Sequence, residues 1–474
     1  MRCFKDVYFW RQSLILIGDS VHSAGTGLML SLSSVLNPAL LSNSTDIRAT
    51  PEEVSWISAS LGFAGLVGLI FLPPFFQHYG RKTIHIGLNC LLSIGFLCFF
   101  FSNSITGLFL GKFIQGIDMG GVTITIFIIA EYSHPKRRGY FMTIKKASVS
   151  LGSLLCHSLY FSWTWRQIAL IALVPYTIST VMILFWPESP AYLAMKGKYK
   201  ECEKSHVWLF GNSQKSIKDL DELITAQMER RNKRPKTPTE MVKRILRKFA
   251  RKDFMKPTLI VALLTLMVDA SGRYYMILYI IEIVVKITGD TSTAVYCSIA
   301  ADIFTMIALI FQGFVIKQMP RRKILLYFGV ISTVLTYTLS FMIYLQSKYK
   351  IGANLLWLTP SLIVFNSFMG FVGVIPTAFT VIGEIYPLEH KGTGSFAAGA
   401  LFTGFYAITV KCIPKIIDKL GVGGMFAIFA TCLLVCVIGL YFTLIETKDR
   451  TLQDIEDEIK GIKRTNEQCF MNAT

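Results

Sequence analysis

The stretches EYSHPKRRG (131–139) and EIYPLEHKG (384–392) carry one pattern twice in a chain of 474 residues. Each follows an apolar run, begins with a glutamate, and places a cation followed by a glycine seven residues later. Two more charged landmarks flank each copy in the same order. YGRK (79–82) and PESP (187–190) enclose the first copy, and MPRRK (319–323) and IETK (445–448) enclose the second. The repetition predicts two halves that are built alike.

Composition places these landmarks between membrane helices. The chain is 52% hydrophobic and only 16% charged, whereas soluble domains carry about 25% charged residues. A bilayer core takes about 20 apolar helical residues per crossing, and backbone polar groups in lipid must bond within the helix. The sequence therefore predicts an all-α membrane protein in which twelve transmembrane helices form two parallel six-helix halves. The predicted spans lie near 13–36, 54–76, 84–102, 106–130, 143–162, 167–187, 258–285, 294–316, 324–345, 354–383, 395–416 and 423–445.

Positive charge sets the predicted orientation. The formal net charge is +18, and residues 195–256 hold 18 Lys and Arg against 8 Asp and Glu. Positive loops stay in the cytoplasm, so we expect this loop and both termini on the inner side of the cell membrane. Because the charge lies beside apolar runs without a nucleic-acid-binding motif, we expect no nucleic-acid partner. The expected domains are a six-helix half (1–194), a cytoplasmic basic helical loop (195–256), a second six-helix half (257–446) and a cytoplasmic tail (447–474).

Two further features narrow the class of protein. Asn43 heads an Asn-Ser-Thr sequon in the polar stretch 40–53, which the topology places outside, so we expect a glycan there. The sequon at Asn472 lies on the inner side and should be silent. The sequence shows no metal-ligand cluster, nucleophile motif or phosphate-binding loop. We therefore expect no enzyme activity, no metal and no cofactor, and a monomer that acts in the bilayer on a small solute.

Two parallel repeats with a site near the bilayer midplane are one plan of secondary transporters. The motifs GRK (80–82), GKFIQG (111–116), PESPAYL (187–193), GEIYPLEHKGTG (383–394) and ETKDRTLQDIEDE (446–458) carry a family resemblance. The chain resembles the sugar porters of the major facilitator superfamily, and GTGLMLSLSSVLNPAL (25–40) resembles their insect facilitated trehalose transporter-like group. The resemblance implies alternating-access transport of a small polar solute, first of all trehalose, a hexose or a polyol.

The resemblance also gives the repeated charges a role. It implies a cytoplasmic ion-pair network that latches the two halves in the outward-facing state and breaks as they rock inward. Exposed ion pairs contribute only about 0–1 kcal/mol each, so several can be remade in every cycle. The alternative is that the charges only anchor helix ends at the lipid headgroups. The predicted gate residues are Arg81, Glu131, Arg138, Glu188, Arg321, Arg322, Glu384, Lys391 and Glu446.

The substrate site implied by the resemblance departs from the family pattern. Sugar porters commonly read Q-Q-x-S-G-x-N in the seventh span, where amides bind sugar hydroxyls, but this chain reads VDASGRY (268–274). A fifth-span glutamine of the family aligns with Lys146, and a tenth-span tryptophan aligns with Phe379. The substrate-binding candidates are Lys146, Asp269, Ser271, Gly272, Arg273, Tyr274, Tyr275 and Phe379.

Ionisable residues within the spans leave alternatives open, because they are costly in lipid and face a partner or a cavity. Asp269 and Arg273 lie four residues apart, on one helix face. We expect a self-neutralised pair there, and the alternative is a grip on a charged or zwitterionic solute. Asp19 and His22 of the first span are proton-coupling candidates. The acid of proton-coupled family members aligns with Gly27, so facilitated uniport is expected.

A non-transporting nutrient sensor or receptor on the same fold is the other class to consider. The departures from the family's sugar site favour it, and residues 195–256 would be its output element. A sensor would bind its ligand without taking it up, so a flux measurement separates the two classes.

Overall fold

The computed structural model describes residues 7–42, 46–121, 128–129, 131–232, 252–349, 357–386, 391–448, 450, 454–455 and 458–459. Within these ranges the chain is helical and forms no β-strand, which agrees with the predicted all-α class. A π-helical segment, Gly370–Val374, joins α15 to α16. The helices are α1 (Val7–Leu41), α2 (Pro51–Tyr79), α3 (Arg81–Phe101), α4 (Ile105–Gly120), α5 (Pro135–Leu159), α6 (Trp165–Ile171), α7 (Leu173–Leu184), α8 (Pro190–Lys196), α9 (Tyr199–Phe210), α10 (Gln214–Asn232), α11 (Lys252–Ala270), α12 (Arg273–Thr288), α13 (Thr291–Gln318), α14 (Arg321–Lys348), α15 (Leu358–Met369), α16 (Ile375–Glu384) and α17 (Lys391–Thr443).

Every predicted span overlaps one of these helices. In the described ranges, nine helical stretches are long and apolar enough to cross a membrane. The longest, Gly392–Thr443, covers the eleventh and twelfth predicted spans, and Gly421, with φ 70° and ψ 175°, interrupts the helix between them. The fourth and fifth predicted spans overlap α4 and α5. The apolar runs therefore locate the membrane helices.

Side-chain caps begin three helices at loops that are predicted to lie outside. Thr50 accepts a hydrogen bond from the backbone N–H of Glu53, whose carboxylate bonds back to the Thr50 N–H. Thr164 and Gln167 form the same reciprocal cap for α6, and Ser104 caps α4. Each cap satisfies backbone donors that the first helical turn leaves free. The polar residues of the loops thus fix where these helices start.

Glycines let helices of the first half meet backbone to backbone. A Cβ added to Gly27 of α1 would lie 2.0 Å from the carbonyl oxygen of Val149 in α5. A Cβ added to Gly152 of α5 would lie 1.8 Å from the carbonyl oxygen of Ala24 in α1. Small residues at such crossings permit the van der Waals packing that associates helices in lipid. The pairing of α1 with α5 therefore depends on residues without side chains.

The described residues fall into two compact units. The first comprises residues within 1–235, 275–309 and 406–415, and the second comprises residues within 236–274, 310–405 and 416–474. The first unit therefore contains most of α12, the start of α13 and a middle part of α17 beside the helices of the first half. The predicted domain boundaries divide the chain by sequence and stay a prediction.

The first part of the predicted cytoplasmic loop is helical and belongs to the first unit. Cys202 of α9 and Leu220 of α10 are buried in one cluster with Leu193 of α8. The Gln12 side chain of α1 donates to the carbonyl oxygen of Leu209 at 3.0 Å. These contacts hold α9 against α1. Residues 233–251 of the loop lie outside the described residues.

We expect Gly27→Ala to lower the melting temperature of the detergent-solubilised protein. The added methyl group meets the Val149 carbonyl, and overpacking typically costs about 1–3 kcal/mol. Gly313→Ala in α13 is the matched control, because a Cβ there meets no atom within 4 Å. The control should melt at or slightly above the parental temperature, since alanine favours helix over glycine. Equal melting temperatures for the two variants would contradict the close approach of α1 and α5.

Candidate functional site

The first copy of the repeated motif forms a charged cluster at the start of α3. Arg81 donates from Nε and Nη2 to the two carboxylate oxygens of Glu131, each at 2.7 Å. The Ser189 hydroxyl donates to the same carboxylate at 2.5 Å, and the Arg81 guanidinium lies 4.2 Å from the ring centroid of Phe76. A bidentate arginine–carboxylate pair is strong and geometrically specific. It fixes the start of α3 against the residue that follows the fourth predicted span.

Glu188 completes this cluster by capping α3. Its carboxylate accepts hydrogen bonds from the backbone N–H groups of Arg81 at 2.9 Å and Lys82 at 3.3 Å. The cap residue Gly80 has φ 96° and makes no side-chain cap, and a Cβ there would lie 2.3 Å from the Glu188 carboxylate. A negative charge at a helix N-terminus is favourable. Glycine therefore makes room for a carboxylate that comes from a distant part of the chain.

The second copy reproduces this chemistry at the start of α14. Glu446 accepts hydrogen bonds from the backbone N–H groups of Arg321 at 3.0 Å and Arg322 at 3.1 Å. The cap residue, Pro320, makes no side-chain cap, and the Arg321 guanidinium pairs with Glu384. Both copies thus pair the first arginine of a helix with the glutamate of the repeated stretch. Both also cap that helix with a later glutamate.

Tyr132 lies beside the first cluster as a neutral donor. Burial raises the pKa of its hydroxyl well above the usual range, and the carboxylates of Glu188 and Glu131 raise it further. The hydroxyl donates to the carbonyl oxygen of Pro187 at 3.1 Å. Because it stays protonated, it can hold the residues before Glu188 in place at any physiological pH.

The remaining gate candidates take other positions. Arg138 is exposed and donates to a backbone carbonyl at 3.3 Å. The resemblance placed Arg81 and Arg138 in one network with Glu131, and of these two arginines Arg81 binds the Glu131 carboxylate. The Arg322 side chain donates to a backbone carbonyl of α17 at 2.7 Å. The Lys391 side chain lies outside the described residues.

Each charged cluster lies within a single unit, the first copy in the first unit and the second copy in the second unit. The ion pairs described above therefore hold together helices of one unit. The latch between the two halves stays a prediction.

The seventh predicted span is not one continuous helix. α11 ends at Ala270, α12 begins at Arg273, and Gly272 between them has φ 102°. The Gly272 N–H donates to the carbonyl oxygen of Asp269 at 3.1 Å, which closes a tight turn. The prediction of a helix throughout 258–285 is wrong at this turn, because hydropathy does not register a two-residue break. In transporters, discontinuous helices commonly form the binding site.

Asp269 and Arg273, which were predicted to neutralise each other on one helix face, do not form an ion pair, because the turn places them on different helices. Asp269 is 3% exposed, and neither of its carboxylate oxygens has a hydrogen-bond partner among the described residues. The Arg273 guanidinium lies 4.8 Å from the ring centroid of Phe379 and 5.2 Å from that of Tyr274. Tyr275, the next residue, is fully buried. The turn thus holds an acceptor and a cation that do not bond to each other.

Aromatic rings and the π-helical segment lie around this turn within the second unit. Phe402 packs edge-on against Tyr274 and against Phe379, with ring centroids 5.5 Å apart in each pair. A Cβ on Gly370, which begins the π-helical segment, would lie 3.5 Å from the carbonyl oxygen of Ser271. The Ser271 hydroxyl donates to a carbonyl of α11 at 2.8 Å. π-Helical turns occur frequently at functional sites, so two irregular segments meet where the substrate candidates lie.

The proton-coupling candidates Asp19 and His22 do not pair with each other. Asp19 binds the Nζ of Lys145 in α5 at 2.9 Å, and the ring Nδ1 of His22 lies 2.7 Å from the Oδ1 of Asn89. The fifth-span lysine that reaches this buried acid is Lys145, whereas the predicted site residue is its exposed neighbour Lys146. One residue turns a helix position by about 100°, so alignment alone could not separate the two lysines.

The other residues of this buried cluster were not among those predicted from the sequence. His85 contacts His22 edge-on, with ring centroids 4.7 Å apart, and the Oδ1 of Asp118 lies 3.8 Å from the His22 Nε2. Lys112 is 1% exposed and donates to the carbonyl oxygen of Met29 at 2.8 Å. The sequence could have indicated these residues, because an ionisable residue inside an apolar run of a membrane protein marks a candidate functional site. In the described part of the chain, no group of His, Cys, Asp and Glu is arranged to hold a metal ion.

Known proteins resemble this chain along most of its length. A family model described as "Sugar (and other) transporter" matches residues 22–459. The facilitated trehalose transporter Tret1 of Drosophila willistoni is 28% identical over 468 residues, which cover 96% of this chain and 52% of that protein. Tret1 of Polypedilum vanderplanki is 27% identical over 469 residues, which cover 96% of this chain and 89% of that protein. The chain spans about half the length of the Drosophila relatives that it matches.

Solved structures share the fold. The inward-open conformation of the xylose transporter XylE from E. coli gives a TM-score of 0.73 at 15% identity, with 95% of this chain and 99% of that chain covered. The major facilitator superfamily proton:xylose symporter XylE bound to 6-bromo-6-deoxy-D-glucose gives 0.73 at 15% identity, with 95% and 98% covered. At this identity the likeness shows the fold alone, and it confirms the predicted major facilitator superfamily fold.

We expect Arg81→Gln to lower the melting temperature strongly, because it leaves the Glu131 carboxylate without its cation. The two side chains are only 10% and 16% exposed, and removal of one partner from a buried pair costs about 3–5 kcal/mol. Arg138→Gln is the matched control, since Arg138 is exposed and should be replaceable near the parental melting temperature. A larger loss for Arg138→Gln than for Arg81→Gln would contradict the pairing assigned here.

Proposed function

The chain belongs to the sugar (and other) transporter family, and we propose that it transports a sugar across a membrane by alternating access. The proposed substrates are trehalose, a hexose or a polyol. The observation that carries this proposal is the turn between α11 and α12, where a buried carboxylate without a described partner lies near a guanidinium and aromatic rings. The name of the relatives, facilitated trehalose transporter, supports a carbohydrate.

The residues of this turn suit a ligand with many hydroxyl groups. The Asp269 carboxylate can accept hydrogen bonds from two hydroxyls, and such charge-assisted bonds are roughly twice as strong as neutral ones. The Arg273 guanidinium has several N–H donors for sugar oxygens. Tyr274 and Phe379 supply apolar ring faces against which the C–H face of a sugar can pack. These charged groups can therefore bind a neutral substrate in place of the amides that the family uses.

We propose facilitated uniport as the mode of transport. The first-span position that the resemblance assigns to the coupling acid is Gly27, and the α5 backbone fills the space that a side chain would need there. Asp19 and His22, the other first-span candidates, contact Lys145 and Asn89. A carrier of this kind equilibrates its solute and does not concentrate it.

A cationic or zwitterionic solute is a second candidate substrate. One observation favours it: the Asp269 carboxylate, which has no hydrogen-bond partner within the described ranges, would be satisfied by an ammonium group as well as by hydroxyls. The nature of the transported solute therefore decides between the two candidates, and uptake of any solute distinguishes both from a sensor.

We propose that the protein acts as a monomer in the cell membrane with both termini inside. The surplus of Lys and Arg in residues 195–256 supports this orientation. It places α8, α9 and α10 and both charged clusters on the cytoplasmic side. It also places the caps of α2, α4 and α6 outside.

At one fixed outside pH, the purified protein in liposomes should equilibrate labelled trehalose or glucose at the same rate whether or not a different inside pH sets up a proton gradient. Asp269→Asn should slow this uptake about tenfold or more, because it removes a charged acceptor whose hydrogen bonds contribute about 1.5–3 kcal/mol. The same change should not lower the melting temperature, since the carboxylate has no described protein partner. Asp418→Asn, at an exposed acid of α17, is the control and should change neither property.

Other outcomes of this assay separate the alternatives. Uptake of a labelled amino acid instead of sugars, lost in Asp269→Asn, would favour the second candidate substrate. Saturable sugar binding without uptake would favour a sensor. Unchanged uptake in Asp269→Asn together with a lower melting temperature would contradict a ligand-binding role for this carboxylate.

Asn43 lies outside the described residues, and the proposed topology predicts that it carries a glycan. Expression in eukaryotic cells should give a glycosidase-sensitive mass shift, because the loop that holds Asn43 faces the lumen during synthesis. Asn43→Gln should abolish the shift, and Asn472→Gln should leave it unchanged. A shift that survives Asn43→Gln would reverse the assigned orientation.

A further inference from the structure

A buried hydrogen-bonded group joins α1, α5 and α13 inside the first unit. The ring Nδ1 of His157 lies 2.6 Å from the Oδ2 of Asp302, and the ring Nε2 lies 2.9 Å from the Oγ of Ser34. His157 is 1% exposed and Asp302 is 8% exposed. Because His157 lies in the fifth predicted span and Asp302 in the eighth, the contact joins the two halves of the chain.

The directions of the hydrogen bonds fix the number of protons in this group. The Ser34 hydroxyl donates its single proton to the carbonyl oxygen of Ser31 at 2.7 Å, so the Ser34 oxygen can only accept from His157. The Nε2 of His157 must therefore carry a proton. A second proton must lie between Nδ1 and the Asp302 carboxylate, because without it these two atoms would face each other as acceptors. The closed group is equivalent to an imidazolium–carboxylate pair.

Charged and titratable side chains on the neighbouring elements act on this group in opposite directions. The negative charge of Asp302 favours the extra proton, and the positive charge of Lys112 on α4 opposes it. Both charges also act on Cys156, the residue before His157. Asp302 is hydrogen-bonded to the ring, whereas the Lys112 amino group donates to the carbonyl oxygen of Met29. The direct contact therefore dominates.

A second contact between the halves of the chain provides a comparison. Lys411 of α17 donates to the Ser55 hydroxyl of α2 at 2.7 Å, and its Nζ lies 3.8 Å from the Glu52 carboxylate. Lys415 reaches Glu52 at 3.4 Å, and both side chains are 60% exposed. Ser34 precedes and Ser55 follows the same predicted outer loop, so both contacts lie toward the outer side.

We propose that His157, Asp302 and Ser34 form a proton-dependent lock on the outer gate of the transporter. The lock holds α13 against α1 and α5, and it separates whenever the outer side opens. This inference rests on the alternating-access function proposed above. The lock takes its proton from the outer side and returns it there, so it makes the carrier sensitive to outside pH and moves no proton across the membrane.

The direction of the pH effect follows from the proton count. The closed lock holds one proton more than a separated neutral histidine and ionised aspartate, so acid outside favours closure and alkali favours opening. Loss of the proton leaves the His157 Nε2 and the Ser34 oxygen without a hydrogen bond. The loss of this buried hydrogen bond shifts the equilibrium between the closed and the open outer gate about tenfold.

A buried reporter measures opening without any substrate. Ser58 of α2 is 0% exposed and interacts with Tyr279 of α12, and Ser58→Cys is nearly isosteric. The reporter protein in sealed cells is treated with a membrane-impermeant maleimide from outside. The rate for the parent chain's own cysteines is subtracted from the reaction rate. The difference is then divided by the rate for the unfolded protein at the same pH. It should rise about tenfold between pH 6 and pH 8.5.

Variants in the reporter background assign this rise to the lock. His157→Gln should react at one rate throughout the pH range, because glutamine does not titrate. Glu52→Gln is the matched control: it weakens the second contact, should raise the rate by one factor at every pH, and should keep the tenfold rise. Ser34→Ala removes the acceptor that requires a proton on Nε2 and should reduce the rise. Asp302→Asn repeats the test if His157→Gln does not reach the membrane.

Two results would overturn the lock. One is a pH-dependent rise that persists in both His157→Gln and Asp302→Asn, and the other is a parental reporter whose rate does not change with pH. Because labelling needs no substrate, a normal pH-dependent rise without sugar uptake would contradict the proposed function and support the lock.

Discussion

A polar side chain inside a bilayer finds no water, so it must bond to protein, reach a cavity, or remain unpaired at a cost of several kcal/mol. The buried charges of α1, α4 and α5 follow this constraint. Asp19 binds Lys145, and Lys112 binds a backbone carbonyl of α1. Since apolar packing alone gives little preference for a protein neighbour over lipid, such bonds and the close approach at Gly27 determine which helices pair.

The same constraint acts on the repeated motif at the membrane surface, because the start of a helix leaves backbone N–H donors without a partner. Neither Gly80 nor Pro320 supplies a side-chain cap, so a carboxylate from a distant segment does so in each unit. That carboxylate, Glu188 or Glu446, ties the end of one membrane helix to the start of another. The two copies differ in local sequence and share a tertiary arrangement, which is why three landmarks recur together.

Features that depend on neighbouring residues could be predicted from the sequence, and features that depend on distant partners could not. Apolar runs located the helices, and the repeated charges located both clusters. The sequence placed both Arg81 and Arg138 near Glu131 and could not show which of them binds it, because a seven-residue spacing says nothing about a third segment. The turn at Gly272 was equally hidden, since glycine occurs both inside and between membrane helices.

The bonding partners of a buried charged residue, rather than its burial alone, distinguish a structural charge from the candidate ligand-binding charge. Asp19 and Asp269 are both nearly inaccessible, at 0% and 3% exposure, yet only Asp19 has a lysine within hydrogen-bond distance among the described residues. An unpaired buried carboxylate lowers the stability of the empty protein. A ligand that donates to it removes this cost, so part of the binding free energy comes from relieving the unpaired charge. A hydroxyl-rich solute can do this without bringing a charge of its own, which fits a site built on an acid in a chain whose relatives are named for a neutral sugar.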